Sequence, residues 1–197
     1  MSASTTDPVA VSGRVVVVDA NVLYSIELTD LLLTLAAHRL VRVHWSPTIL
    51  DEVRRNLAKR ADLTPDAIAY RIDRMNLAVP GALDEAPEAL VAAMPITEHD
   101  RHVLALAVHV DADCIVTFNL RDFPAGACEP YGIEIVDPDS FAVAVAESDP
   151  ARAHAALTDI ARRRTRPPMT VDELLDRVEI VLPNFVSRVR AGLSDTA

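Results

Sequence analysis

Glycine, cysteine, lysine and aromatic residues are all scarce in this chain, and each scarcity excludes something. Five glycines in 197 residues leave no Gly-rich phosphate loop, and none of them frames a serine as a nucleophile elbow would require. Cys114 and Cys128 are the only cysteines and lack CxxC spacing, so a disulfide framework and a cysteine-ligated zinc site are both excluded; Cys114, in an apolar run, reads as a core thiol. Aromatics at 4% against 50% hydrophobic residues imply a core of Ala, Val, Leu and Ile, which favours helices packed on a parallel sheet. No apolar run approaches the roughly 18–20 residues that span a bilayer. Residues 1–7 have neither the basic start nor the apolar middle of a signal peptide, so the expectation is a cytoplasmic protein with no membrane partner.

The net charge of −10 excludes a general nucleic-acid coat, because polyanion affinity depends on neutralising phosphates. The charge is uneven, however. Residues 39–74 hold eight Arg/Lys against five acids, whereas residues 81–149 hold fourteen acids against Arg101 and Arg121. A basic flank beside an acidic segment suits a site that holds a cation and meets phosphate; ordinary solvated helix faces are the alternative.

The run Val15-Val16-Val17-Val18-Asp19 delivers a carboxylate to the end of a strand that four β-branched residues mark as buried. Ligands of open α/β sheets gather beyond the carboxyl ends of their strands, so Asp19 is a candidate ligand or catalytic acid. It is equally a candidate helix cap. Further strands are expected at Val41–Trp45, Cys114–Thr117 and Tyr131–Val136. Helices are expected from Thr29 through Leu40, from Ser46-Pro47 to Arg60, and from Thr64-Pro65 through Met75. Another should follow the capping-box-like Thr97-Glu98-His99-Asp100, with Ser/Thr-Pro pairs serving as N-terminal signals. Residues 84–94 read as an acidic connection and 118–130 as a loop. After Asp137-Pro138 the strands stop. Asp149-Pro150 and Thr170-Val171-Asp172-Glu173 open further helices, and Pro183 should break or kink the last one. The organisation expected is a loose tail over 1–13, an α/β domain over 14–148 and a helical extension over 149–197. The basic link from Arg162 to Pro168 reads as a helix end or as an RNA or partner contact.

These elements bring Asp19, Glu52, Asp100 and the pair Asn119/Asp122 toward one edge of the sheet. Clustered carboxylates repel one another and need a divalent cation, and an oxygen-only set suits Mg²⁺ or Mn²⁺. Such a cation polarises phosphates and lowers the pKa of water, which makes a phosphodiester hydrolase the logical product. Each residue has a plainer reading: Glu52 as a solvated helix acid, Asp100 as a cap, Asp122 as a turn residue, and Asp111 and Asp113 as solvated loop acids. Zinc is disfavoured because His99 and His102 are not spaced i, i+4 and have no cysteine nearby; with His109 they read as polar helix-face residues. Trp45 reads as core or partner-facing. Receiver domains and haloacid-type phosphatases also use a strand-end Asp, but Lys59 is the sole lysine where both usually need a late one, and position 21 is Asn where the latter needs Asp.

In order, Val-Val-Asp19-Ala-Asn-Val-Leu, Ser46-Pro47 with Ile-Leu-Asp-Glu52-Val, Asp100-Arg-His-Val-Leu-Ala-Leu-Ala and Ile115-Val-Thr-Phe-Asn119-Leu-Arg-Asp122-Phe resemble a PIN domain, in particular the VapC-type toxins of bacterial toxin–antitoxin pairs, over about residues 14–140. The resemblance implies a Rossmann-like α/β fold with a central parallel sheet, plus a C-terminal helical extension as in longer members. It implies a Mg²⁺-dependent endoribonuclease held inactive by a VapB-type antitoxin, and a homodimer. Asp19 and Asp100 match the principal metal ligands, and Glu52 the acid that supports a second metal or orients water. Asn119 stands where a fourth carboxylate is expected, with Asp122 as a substitute or a loop brace. Arg121, and more loosely Arg54 and Arg55, are candidate phosphate contacts. The competing reading is a PIN-like module that binds or regulates without catalysis.

Overall fold

The computed structural model describes residues 13–194, so the tail expected over 1–13 lies, except for Gly13, outside the described residues. Strands β1 (Arg14–Val18), β2 (Val41–His44), β3 (Cys114–Val116) and β4 (Glu134–Val136) form one sheet in the order β2-β1-β3-β4. Each pairing is parallel, with Val16 opposite Val43 and Cys114, and Ile115 opposite Ile135. The expected α/β class and parallel sheet are therefore present. β1 lies at the centre because its valines can be buried on both faces, as a parallel sheet demands; Val16, Val17 and Val18 have no exposed surface.

After β1 come two helices, α1 (Ala20–Leu23) and α2 (Ile26–Ala37). The α2 start differs from the expected Thr29. Ser25 is the cap, its Oγ accepting from the Leu28 N–H at 3.2 Å, and Thr29 is inside the helix, its hydroxyl donating to the Ser25 carbonyl at 2.7 Å. Leu40 is not helical either: Arg39 takes a positive φ of 58° and turns the chain into β2. The two Ser/Thr-Pro starts are realised in α3 (Pro47–Leu57), capped by Ser46, and α4 (Pro65–Ala78), capped by Thr64. Trp45 is core, 1% exposed, its indole N–H donating to Asn76 Oδ1 at 2.8 Å.

The acidic connection contains a short helix, α5 (Glu88–Ala93), with no buried residue and hence no apolar period to betray it. α6 (Arg101–His109) follows and packs on β1 and β3. Asp111 is left-handed at φ 53°. Asp113 is more than a solvated loop acid, because its Oδ2 accepts the Val15 N–H at 2.7 Å and so anchors the start of β1. The expected loop over 118–130 is instead a string of short turns: a 3₁₀ turn at Leu120–Asp122, α7 (Ala125–Cys128) and a second 3₁₀ turn at Glu129–Tyr131. That second turn takes Tyr131 from the expected fourth strand, which begins only at Glu134.

The C-terminal part is helical: α8 (Pro138–Ser148), α9 (Pro150–Arg163), α10 (Val171–Val178) and α11 (Pro183–Ser194). Of the break or kink expected at Pro183, the break forms: α10 ends at Val178 and Pro183 opens α11, as its fixed φ and missing N–H favour at a first helical position. The Thr170/Glu173 pair forms a reciprocal capping box. The basic link folds back on the α/β core: Arg163 and Arg164 both pair with Asp30 of α2, at 3.1 and 2.7 Å, and His38 meets Asp159 at 2.8 Å. No helix among the described residues is long and apolar enough to cross a membrane.

Candidate active site

The site grows from the end of β1. The Asp19 N–H still completes the ladder, donating to the Val116 carbonyl of β3 at 3.1 Å. Its side chain is the N-cap of α1, Oδ1 accepting the Ala20 N–H at 2.6 Å. Oδ2 accepts the Asn21 amide at 2.6 Å and the Thr117 hydroxyl at 2.7 Å. Asp19 is 8% exposed and Thr117 is fully buried. Burial pushes the Asp19 carboxyl above the ordinary aspartate range; the hydrogen bonds from Thr117 and Ala20 work against this, and the charges of Glu52 and Asp100 add to it. Three acids separated by as many as 81 positions in the chain thus share one electrostatic neighbourhood at the carboxyl end of the sheet.

Glu52 arrives on α3 and is half-buried. Its Oε1 lies 3.2 Å from His102 Nε2 and 3.8 Å from Arg55 Nη2. Asp100 occupies the N-cap position of α6, but its carboxylate makes no capping bond; Oδ2 accepts the Thr97 hydroxyl. The cap alternative therefore holds for Asp19, alongside its other contacts, and not for the side chain of Asp100.

Asn119 is exposed on the turn after β3, where its backbone N–H donates to Thr117 Oγ1 at 3.0 Å. The amide woven into the acid network is Asn21: Nδ2 donates to Asp19 and, at 2.9 Å, to Thr117, while Oδ1 accepts the Phe118 N–H at 3.1 Å. Asn21 and Thr117 are the residues that motif order missed; the one available signal was a hydroxyl ending an otherwise apolar strand. Asp122 is half-buried in the 3₁₀ turn and Arg121 beside it is exposed. Arg54 is exposed and paired with Asp51, and Arg55 is exposed with its Nε donating to the Asp51 carbonyl at 3.3 Å. His102 departs from its expected place on a polar helix face: its side chain is 14% exposed and turned to Glu52.

As a cation site the donor set fits in kind: three carboxylates, oxygen only and mutually repelling, with Asp19 lifted toward protonation chiefly by burial and further by the charges of Glu52 and Asp100. It is not drawn together in advance, since among the described residues no three His, Cys, Asp or Glu side chains are grouped closely enough to hold a metal ion. An apolar groove of about 790 Å³ between α2, α4 and the end of α9 includes none of these acids and is no part of the site.

A family model described as "PIN domain" matches residues 15–121, and one described as "VapC50 C-terminal domain" matches residues 138–191. A curated relative, "Putative ribonuclease VapC50" of Mycobacterium tuberculosis, is 37% identical over 101 residues, which is 51% of this chain and 60% of the relative. The chain thus matches less than two thirds of that relative's length. No solved structure matches significantly. The first model covers more than half of the chain, and its span includes the parallel sheet just described together with Asp19, Glu52, Asp100 and Thr117: the chain belongs to the PIN-domain family, in the longer form that carries a VapC50-type C-terminal domain.

Proposed function

We propose that the chain is a Mg²⁺-dependent endoribonuclease, with Mn²⁺ as a substitute ion, that acts as the toxin of a toxin–antitoxin pair and is restrained by a VapB-type antitoxin. The observation that carries this reading is the convergence of Asp19, Glu52 and Asp100 at the carboxyl end of a parallel sheet, close enough for two of the charges to raise the third. Family membership and the ribonuclease name of the relative support it.

In this reading Asp19 and Asp100 would hold the cation, and Glu52 would support a second ion or orient water. When bound, the ion supplies charge neutralisation at a phosphate and a lowered pKa for water. The protein supplies the rest. Thr117 and Asn21 fix the Asp19 carboxylate by two hydrogen bonds to Oδ2, so that its orientation is set before substrate arrives. Asn119 and Asp122 stand on the turn after β3 as a weak oxygen donor and a brace, and Arg121, Arg54 and Arg55 offer phosphate contacts, which add affinity without base selectivity. A homodimer and a cytoplasmic location complete the reading.

The test is RNA cleavage by the purified chain with Mg²⁺, Mn²⁺ or EDTA, beside Asp19→Asn. Cleavage that needs the ion and disappears in the variant is expected, together with a rise in melting temperature on adding Mg²⁺. If the ion neither stabilises nor supports cleavage and the variant behaves as wild type, the chain is a PIN-like binding module. Sequencing the RNA ends made on induction identifies the substrate.

A further inference from the structure

We propose that His102 is the positioning residue for Glu52, holding its carboxylate toward Asp19 through a hydrogen bond from the imidazole Nε2–H. The inference rests on reading Asp19, Glu52 and Asp100 as one acid site. A glutamate has three side-chain torsions that cost entropy to freeze, so α3 by itself does not aim Glu52. What touches the carboxylate is His102 Nε2 at 3.2 Å from Oε1; Arg55, at 3.8 Å and 69% side-chain exposure, is beyond hydrogen-bond reach.

The imidazole is suited to that task by its asymmetry. Its side chain is 14% exposed, Nε2 faces the carboxylate, and Nδ1 is buried with no hydrogen-bond partner. A buried N–H without an acceptor is rarer and costlier than a bare lone pair. The neutral tautomer with its proton on Nε2 satisfies both facts, because it gives Glu52 a donor and leaves only a lone pair unpaired at Nδ1.

The next residues of α6, Val103 to Ala107, are buried aliphatics, so a histidine at 102 is the polar exception in the inward part of the helix. It stands two residues after Asp100. The first turn of α6 therefore places one acid directly and a second through its imidazole, and the spacing between Glu52 and Asp100 is set by one rigid element that packs on β1 and β3.

The experiment uses the full chain as wild type, His102→Leu, His102→Gln, Glu52→Gln, Glu52→Ala, the Glu52→Gln/His102→Leu double variant and Asp19→Asn, each checked for folding by urea denaturation. His102→Leu is expected to lower kcat about 10–100-fold, the range for partners that orient ligands, with KM unchanged. His102→Gln, whose amide N–H reaches the same place, recovers most of the rate, and the double variant is no slower than Glu52→Gln alone. Independently of activity, long-range ¹H–¹⁵N imidazole spectra of the metal-free protein should show His102 as the Nε2–H tautomer, and that preference should weaken in Glu52→Ala. Wild-type kcat in His102→Leu while Asp19→Asn is inactive overturns the inference and leaves the acid site standing, as does an Nδ1–H tautomer. Wild-type cleavage by Asp19→Asn overturns the acid site itself, and this inference with it.

Discussion

Asp139 ties the C-terminal helices to one another, and its removal should cost stability without touching the acid site. The residue lies in the first turn of α8, is 8% exposed, and accepts three hydrogen bonds from the start of α11: from Asn184 N–H at 3.1 Å, the Asn184 side-chain amide at 2.8 Å and Phe185 N–H at 2.8 Å. Leu182, just before α11, has no polar atom with which to cap it, so a carboxylate 46 positions away does the capping. In Asp139→Ala the Asn184 groups, on an exposed residue, turn to water at little cost. The Phe185 N–H is buried and stays unpaired, so the lost cap costs about 1–3 kcal/mol. That is about 2–12 °C in melting temperature for a chain of this size. Urea denaturation followed by circular dichroism measures it, with Asp139→Asn as an intermediate case that keeps one acceptor oxygen. RNA cleavage below the melting range should be unchanged, since Asp19 follows β1, Glu52 is on α3 and Asp100 stands at the start of α6. A loss below about 0.5 kcal/mol would refute the capping argument.

Two further outcomes follow from buried ionisable groups. Because the folded-state pKa of Asp19 is raised by burial and then by Glu52 and Asp100, the folded protein keeps a proton that the unfolded chain has lost between the ordinary aspartate value and the raised one. Metal-free stability should therefore fall as pH rises through that window, with no further change from this group above it. Groups such as Glu173, lowered by its bonds with Thr170, pull the other way. The difference between wild type and Asp19→Asn in EDTA isolates Asp19, and a difference that grows in wild type's favour with pH would sink the account. Burial also pushes the Cys114 thiol up to about 12 and raises that of Cys128. A thiol reagent at pH 8 should label neither in the native protein and both after denaturation, so rapid native labelling would contradict it.

What the sequence disclosed depended on whether the determinant was local. The valines of β1, the alternation of β2 and the Ser46-Pro47, Thr64-Pro65 and Thr170/Glu173 starts are each written in a few adjacent residues, and each formed as expected. α5 is not legible because only the adjacent Leu90 and Val91 are partly buried in it, too few to carry a period. Thr29 resembles a cap in the sequence because the apolar period of α2 becomes readable only at Leu28, whereas Ser25 caps the helix in the fold. Asp139 on α11 and Asp113 on β1 are contacts between segments 45 and 98 positions apart, with no local signature at all. At the acid site the carboxylates were legible as a set of strand ends and helix starts. Which amide serves them was not: Asn119 and Asn21 both lie near strand ends, and only the folded chain puts Asn21 on Asp19.

The choice first posed by Asp19, helix cap or ligand, dissolves once its hydrogen bonds are counted. An ionised carboxylate offers about four lone pairs. Ala20 N–H takes one on Oδ1, and Asn21 and Thr117 take two on Oδ2, leaving one on Oδ1. Capping α1 is then part of how the carboxylate is aimed, because the bond to Ala20 fixes the plane of the group and Thr117 and Asn21 lock its other end. Four donors would have buried a fully satisfied, inert anion; three hold a carboxylate rigid while Glu52 and Asp100 keep it under repulsion. A buried acid that is hydrogen-bonded on both oxygens, incompletely satisfied and repelled by two neighbours gains more from a divalent cation than an exposed aspartate does, which is why the proposed ligand role and the predicted loss of metal-free stability with rising pH stand or fall together.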